Sequence, residues 1–512
     1  MNGGRPMLTQ DDVIYFIVTD RFFDGTKANN QDVDKKNPTA FHGGDFEGIR
    51  RRIPYLKELG ITALWMTPVF LNTSIPEWNA WGYHGYWPLD FERIDPHFHT
   101  PSEEIPDGSR LHLKMLVDDL HCNGIKVILD MVSNHVGYNH PLFLDDSGYV
   151  IKKSWFNQGD GQTEQKKSLM GLPDLDQDNV EVGDYFIGII LDWIAETGID
   201  CIRFDAVKNV ESIFWQRVKT YIKGKYPGLT IIGEVLDFDS RRTAEYQNFY
   251  DFDTVFDFPL QQSLVEAMVH DRPLSDVLAR PEITSLERHG VLNDDFLYAN
   301  HNRLITLLDN HDTSSRFITL LSDRYGNDSA SILKSYKMAL TLLFALRGIP
   351  QLYYGDEIGL AGGPDPDNRR DMPWDIMEGE DCMGGPDEKH PFERAVFQHI
   401  KALVGMQKEN ESLRYGASIT LYSDSMLFVF IREFRSNAVI VALNNGHDDM
   451  PVPMAVHLRR NSHLSTRLCG LLEGKQMKDA FGESESIRID SGLFTLRLRG
   501  KTAAVYCQDQ YP

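Results

Sequence analysis

A closed eight-stranded (β/α)8 barrel of the TIM type, with an inserted domain after its third strand and an all-β domain behind it, is the fold class that three features of this 512-residue chain predict. First, one helix-to-strand junction recurs: "LGITALWM" at 59–66, "NGIKVILD" at 123–130, "TGIDCIRFD" at 197–205, "PGLTIIGE" at 227–234 and "RGIPQLYY" at 347–354. Most of these place a glycine where a left-handed helix cap belongs and then begin an apolar strand. Second, the stretches between them have helical periodicity. Phe186, Ile189, Ile190, Trp193 and Ile194 fall at i, i+3, i+4, i+7 and i+8, and Leu113, Leu116, Val117 and Leu120 repeat most of that pattern. Third, "VIYFIV" at 13–18, "FDTVFDF" at 252–258 and "RLITLLD" at 303–309 bring the strands to eight. Fully apolar strands with crossover helices favour a closed parallel barrel over an open sheet. No glycine-rich dinucleotide fingerprint follows the first strand, which weakens the open-sheet option further.

About fifty residues separate the third strand, ending near Asp130, from a helix beginning near Gly183, far more than an ordinary connection needs. After about residue 410 the pattern changes to short alternating strands, "MLFVFIREF", "AVIVALNNG" and "LFTLRLRG", with "NNG" as a turn signal. The expected division is a barrel over 1–135 and 183–408, an insert over 136–182 and a C-terminal β-sandwich over 409–512.

The composition, 42% hydrophobic and 25% charged, is that of a folded soluble protein. A net charge of −23 repels phosphate backbones and anionic membrane surfaces, so a neutral or cationic partner is expected and a nucleic acid is not. The start "MNGGRPMLTQDD" has no apolar signal core and no apolar run is long enough to span a bilayer, which predicts a cytoplasmic protein. Five cysteines, at 122, 201, 382, 469 and 507, have no metal-ligand spacing, and Cys201 inside a strand reads as a buried free thiol.

The chemistry begins with "CIRFD". Side chains alternate along a strand, so Arg203 and Asp205 project to the same side, as either a structural ion pair or a poised nucleophile. In such a barrel chemistry sits at the carboxyl ends of the strands. There the third strand delivers Asp130, Asn134 and His135, the fifth Glu234, and the seventh His311 and Asp312. A structural ion pair does not need three more acids beside it, and clustered titratable groups mark function. Glycoside hydrolysis wants two carboxyl groups across a bond, one ionised and one protonated. Arg203 would keep Asp205 ionised as nucleophile. Glu234 follows "LTII" with no cation beside it in sequence, so burial would raise its pKa into the range of a general acid. Asp312 would bind sugar hydroxyls, with Asp130 among the substrate-facing groups.

"DMVSNH", "GIDCIRFDAVKN", "IIGEV" and "LLDNHD", in this order, resemble the four signature regions of the α-amylase superfamily of retaining glycoside hydrolases and glucanotransferases. "GITALWMTPV", "LPDLD" and "GIPQLYYGDEIG" extend the resemblance over about residues 8–405. It implies Asp205 as nucleophile, Glu234 as acid/base and Asp312 as transition-state stabiliser. It also implies that Arg203, His135 and His311 meet the sugar at the cleavage point, that Tyr86 of "WGYHGYW" stacks on that sugar and that His84 hydrogen-bonds it. Lys208 and Asn209 fall where many members have Lys-His; the asparagine departs from that pattern on the acceptor side. In "GGPDPDNRRDMPW", similar to a loop of glucanotransferases and cyclomaltodextrin-degrading members, Asp367 and Arg370 would meet a donor-side glucose or pair with each other. Calcium is the implied metal, since the candidates are oxygen ligands. One set is Asn134, Asp174 of "LPDLD" and the carbonyl of Asn209. A second is "DGTKANN" with "GGD", similar to the N-terminal calcium loop of cyclodextrin glucanotransferases, where Asp24, Asn29, Asn30, Gly43 and Asp45 match and Thr26 replaces an asparagine. No organic cofactor is expected. The extra N-terminal domain of cyclodextrin-degrading members is expected to be missing, since the first strand begins near residue 13. The implied activity is hydrolysis of α-1,4 bonds in maltooligosaccharides, starch or cyclodextrins. A 4-α-glucanotransferase is the alternative, and a non-catalytic sugar-binding relative is the rival of another class.

Overall fold

The eight apolar runs become eight short buried strands: β1 (Ile14–Ile17), β2 (Ala63–Met66), β3 (Lys126–Met131), β4 (Cys201–Phe204), β5 (Thr230–Gly233), β6 (Thr254–Val255), β7 (Ile305–Thr306) and β8 (Ile349–Tyr353). The computed structural model describes residues 7–508 apart from 74, 78, 139–152, 158–160, 162, 281–289, 380–381 and 462. Neighbouring strands are parallel in the order β6-β5-β4-β3-β2-β1-β8-β7. A parallel bridge between Phe256 and Ile305 brings the two edge strands together and completes the ring. Aromatic side chains fill the interior below the rim. Phe16 of β1 stacks on Trp65 of β2 with ring centroids 3.5 Å apart and on Tyr353 of β8 at 5.2 Å.

The helix Val180–Thr197 shows how the outer layer is specified. Asn179 caps its start by accepting from the Glu181 N–H, and Gly198 ends it in the left-handed conformation at φ 82°. Phe186, Ile190, Trp193 and Ile194 are buried against the sheet. The helix begins three residues earlier than Gly183 because the cap lies at Asn179. Gly60 makes the same left-handed stop, whereas Gly228 does not adopt it.

An antiparallel pair, Phe70–Asn72 with Pro88–Ile94, lies in the connection after β2 and was not foreseen. It frames the loop that carries His84 and Tyr86. In the segment from 136 to 179 the described residues form three single turns, Lys153–Trp155, Glu164–Lys166 and Leu169–Gly171. Bridges from His135 to Asp174 and from Phe156 to Leu175 tie that segment down; residues 139–152 of the expected insert lie outside the described residues.

The C-terminal part is an antiparallel sheet in the order Ala417–Ser423, Leu427–Phe434, Asn437–Asn444, Thr502–Gln508, Gln476–Asp479, Ile487–Arg488, with a second pair, Met454–His457 and Leu493–Leu496. Alternation decides its two faces. Phe428, Phe430, Val439 and Val441 join the barrel's core, while Val429, Ile431 and Ile440 pack with Leu468 and Phe494 in a core of their own. The hairpin turns at Arg435 (φ 57°), not at "NNG", which is a bend beyond the strand end. Among the described residues the five cysteines are free, Cys201 buried among them, and no helix is long and apolar enough to cross a membrane.

Two glycine variants test this packing. At Gly198 an added Cβ meets nothing nearer than Val117 Cγ1 at 3.9 Å, so Gly198→Ala should cost only the left-handed strain, about 1 kcal/mol. At Gly44 a Cβ would lie 2.2 Å from the Thr19 carbonyl oxygen, so Gly44→Ala should lower the thermal midpoint far more. Equal shifts would contradict the structure.

Candidate active site

Parallel strands bring their carboxyl ends to one rim, and register does the rest. Arg203 of β4 lies directly across from Asp130 of β3. It is fully buried. Its Nη1 donates to Asp130 Oδ1 and to Asp205 Oδ1, each at 2.7 Å, and its Nη2 lies 2.8 Å from Glu234 Oε1. One guanidinium therefore touches three carboxyl groups from three strands. It rests over Trp65 at 5.1 Å and near Tyr86 at 5.8 Å. Trp65 Nε1 and the Tyr86 hydroxyl donate to Asp130 Oδ2 at 3.0 and 2.7 Å.

Beyond Asp205 the chain is strained. Ala206 takes the left-handed conformation, φ 48° and ψ 41°, which costs a residue with a Cβ about 1–2 kcal/mol. In that position its N–H donates to Glu234 Oε2 at 2.9 Å. The Glu234 N–H donates to the Phe204 carbonyl and the Glu234 carbonyl accepts from Val207, both at 3.0 Å. Both acids are thus mounted on backbone that is fixed from two sides.

The electrostatics correct two expectations: that Arg203 suffices to hold Asp205 in the ordinary carboxylate range, and that Glu234 has no cation beside it. Arg203 serves Glu234 as well as Asp205, so Glu234 does have a cation beside it, supplied across the sheet rather than along the chain. Burial pushes the Asp205 carboxyl well above the usual range; Arg203 opposes this, and the neighbouring Glu234, Asp130 and Asp312 reinforce it. Burial likewise raises Asp130 to about 6 against the pull of Arg203. Burial thus holds both Asp130 and Asp205 above the ordinary carboxylate range although each contacts Arg203.

Above it opens a cleft of about 870 Å³, lined by Asp205, Glu234, Asp312, His84, Tyr86, His135, His311, Lys208 and Asn209 among others. The structure gathers these separately predicted residues in one place. Burial keeps His84 and His311 well below the ordinary histidine range and His135 at about 4, so all three are neutral imidazoles. His135 Nε2 donates to the Tyr86 carbonyl at 3.0 Å, and the Tyr86 ring lies parallel to His311 with centroids 4.9 Å apart. Asp130 and Arg203 do not line the cleft; they are sealed beneath it and act on the groups that do. Asp367 and Arg370 also lie outside it, joined by two 2.7 Å hydrogen bonds at the surface. Their loop instead presents Asp365 and Arg369, with Arg369 donating to the His311 carbonyl at 2.9 and 3.1 Å and lying 3.4 Å from Asp312 Oδ1. Trp87, Tyr138, Glu164 and Leu236 complete walls that the sequence reading missed. Leu236 carried a signal in its place two residues after Glu234, on the same strand-end loop.

Two oxygen clusters bear on metal binding. Asn134 is fully buried with an unpartnered Oδ1, and Asp174 Oδ1, from the segment that bridges to His135, also has no partner. Asn209 lies at the cleft with its side chain on the Glu164 carbonyl at 3.5 Å. In the N-terminal loop, Asp24, Asn29 and Asn30 each leave an Oδ1 unpartnered, with Gly43 (φ 92°) folded closely over Asn30. Asp45 is different: it accepts from the backbone N–H groups of Gly25, Thr26 and Gly48 and from the Asn29 side chain, so it closes the loop. An acidic cluster outside both predicted sets, Asp176, Asp178 and Glu211, has ligand atoms within 4.8 Å of one another and holds the Lys166 ammonium.

Comparison with known proteins adds the following. The family model described as alpha amylase, catalytic domain, matches residues 16–169 and 152–395. A cyclomaltodextrinase of Thermoanaerobacter pseudethanolicus is 32% identical over 464 residues, 86% of this chain and 71% of its own length. A cyclomaltodextrin glucanotransferase of Paenibacillus macerans is 29% identical over 90% of this chain and 63% of its own. The crystal structure of an Anoxybacillus α-amylase superposes with a TM-score of 0.79 at 32% identity, covering 98% of this chain and 99% of that one.

Asp130 generates a pH prediction. Its folded pKa of about 6 exceeds the ordinary 3.8, so its contribution to stability is present below about pH 4 and lost as the pH rises through about 6. Asp130→Asn removes that titration, so the stability of the variant relative to the parent should rise across this window in urea unfolding series. Parallel profiles would contradict the burial of this carboxyl.

Proposed function

The chain belongs to the α-amylase family, and from that premise we propose that it cleaves α-1,4-glucosidic bonds of maltooligosaccharides, starch or cyclodextrins by double displacement with retention. The observation that carries this reading is the shared guanidinium: Asp205 and Glu234 both contact Arg203 and both line one cleft. Retaining enzymes hold their two carboxyl groups about 5–5.5 Å apart, and two groups on one planar cation suit that separation.

In the first step an Asp205 oxygen bonds to the anomeric carbon while the bond to the glycosidic oxygen breaks, and Glu234 gives that oxygen its proton. In the second, Glu234 takes a proton from water, whose oxygen displaces Asp205. In these steps Glu234 is the proton donor and Asp205 the attacking carboxylate, both beside the Arg203 guanidinium. The neutral His84, His135 and His311 are hydrogen-bonding groups for sugar hydroxyls, Tyr86 is a stacking face, and Asp312 faces the charge that develops on the ring.

The unpartnered oxygens fit calcium, a hard cation that takes oxygen ligands. Asn134 and Asp174, with the Asn209 carbonyl, would hold one ion; Asp24, Asn29 and Asn30 would hold another. Such ions would tie loops to the barrel and take no part in bond making.

A second reading, transfer of the glucosyl group to a sugar instead of water, is favoured by one feature. Leu236, two residues beyond Glu234, presents apolar surface to the cleft, where an acceptor sugar could seat and water is less welcome. A purely sugar-binding role is opposed by the complete set of Asp205, Glu234 and Asp312.

Incubation with maltoheptaose and with cyclodextrins, followed by chromatography, should give shorter linear sugars; longer or cyclic products would select transfer, and unchanged substrate would refute the reading. Glu234→Gln should lower maltoheptaose turnover by about 10²–10⁴-fold yet still release fluoride from α-maltosyl fluoride, whose leaving group needs no proton. Asp205→Asn should abolish both. Full activity in either variant on maltoheptaose would overturn the assignment.

A further inference from the structure

The segment between β3 and the Val180–Thr197 helix carries the turn Glu164–Lys166, which packs against the residues that follow β4 and β5. Glu164 lines the cleft there with Lys208, Asn209 and Leu236. The opposite wall comes from the loops after β2, β7 and β8, with His84, Tyr86, His311, Asp312 and Arg369. Since Glu234 protonates the departing oxygen in the reaction proposed above, the departing sugar, and by reversal an accepting one, lies on the side where the chain continues from Glu234 to Leu236.

On that side one carboxylate links two cations. The Lys208 ammonium donates to the Leu236 carbonyl at 2.7 Å and lies 3.5 Å from Glu164 Oε1. Glu164 Oε2 accepts from Arg242 Nη2 at 2.8 Å, and Arg242 Nη1 lies 3.1 Å from Asp237 Oδ2. Arg242 belongs to the helix Ser240–Asn248, which follows β5. The backbone is fastened as well, with Gln165 Nε2 donating to the Lys208 carbonyl at 3.3 Å. Lys166 pins the far end of the turn to Asp178 at 2.8 Å and to Asp176 and Glu211 at 3.2 Å.

Glu164 and Arg242 are 37% and 51% exposed, and pairs this exposed contribute little to stability. Their effect is geometric. An ammonium has three hydrogens; the Leu236 carbonyl takes one, Glu164 holds the charge from 3.5 Å, and Lys208 still lines the cleft.

We propose that Glu164 is a positioning residue for the leaving and accepting sugar: by holding Lys208 and Arg242 together it fixes the Lys208 ammonium and the Leu236 stretch against the sugar that departs from, or arrives at, the glucosyl adduct. This rests on the function proposed above and names a residue of that same site that acts through another.

The test compares two substrates in the full-length protein. Maltoheptaose fills the leaving side with sugar; α-maltosyl fluoride leaves it empty. Glu164→Ala should lower kcat/KM for maltoheptaose about two- to fivefold, the range an exposed ion pair is worth, chiefly through KM, while fluoride release changes less than that. Arg242→Ala should reproduce part of the loss, and Glu164→Gln, which keeps an accepting oxygen, should recover part of it. Equal losses on both substrates would make Glu164 merely structural, and no loss on either would remove its role; both overturn the proposal. A parent protein that turns over neither substrate would instead sink the function on which it rests, and this proposal with it.

Discussion

The structure turns on a single fully buried guanidinium. Arg203 is shut off from solvent, and its charge is met by Asp130, Asp205 and Glu234, with the Trp65 and Tyr86 rings beside it. Removing the guanidinium would leave buried carboxyl groups without a cation, a loss typically worth about 3–5 kcal/mol, so the three acids are coupled through Arg203. The same arrangement sets the chemistry. Burial holds Asp130 and Asp205 above the ordinary carboxylate range, and a pair of buried carboxyl groups on one cleft is what the proposed cleavage at a sugar requires.

The barrel supplies what that cation needs. Parallel register places Asp130 opposite Arg203, and the Trp65 and Tyr86 donors saturate the oxygen of Asp130 that Arg203 does not use. Phe16 and Trp65 stack in the barrel interior, and Asp205 and Glu234 open to the cleft above. The strained Ala206 is then intelligible. Its left-handed turn moves the chain away after Asp205 and aims an N–H at Glu234, which a relaxed strand continuation would not do.

Much of this was legible in the residues themselves. Strand periodicity put Arg203 and Asp205 on one side, and the eight apolar runs with their helical spacers gave the barrel and the rim. What stayed hidden were contacts made across strands. Nothing along the chain near Glu234 reveals a cation, because its partner, Arg203, arrives from the neighbouring strand about thirty residues earlier. For the same reason Asp130 and Arg203 looked like substrate contacts, although their burial beneath the cleft shows only in three dimensions. In "DPDNRRD" two arginines and three aspartates are equivalent on paper; the turn Asp367–Arg369 swings Arg369 inward and leaves Arg370 to pair with Asp367 outside. Glu164 was unreadable for a further reason: its partners, Lys208 and Arg242, stand more than forty residues away.

The central claim is that Asp205 and Glu234 work from the two sides of one bond through a covalent sugar adduct. Proton NMR of the hydrolysis mixture in the first minutes, before the free sugars mutarotate, tests this most directly. The account predicts that the newly formed reducing end appears first as the α-anomer. An initial product in the β configuration would mean direct attack by water and would contradict it.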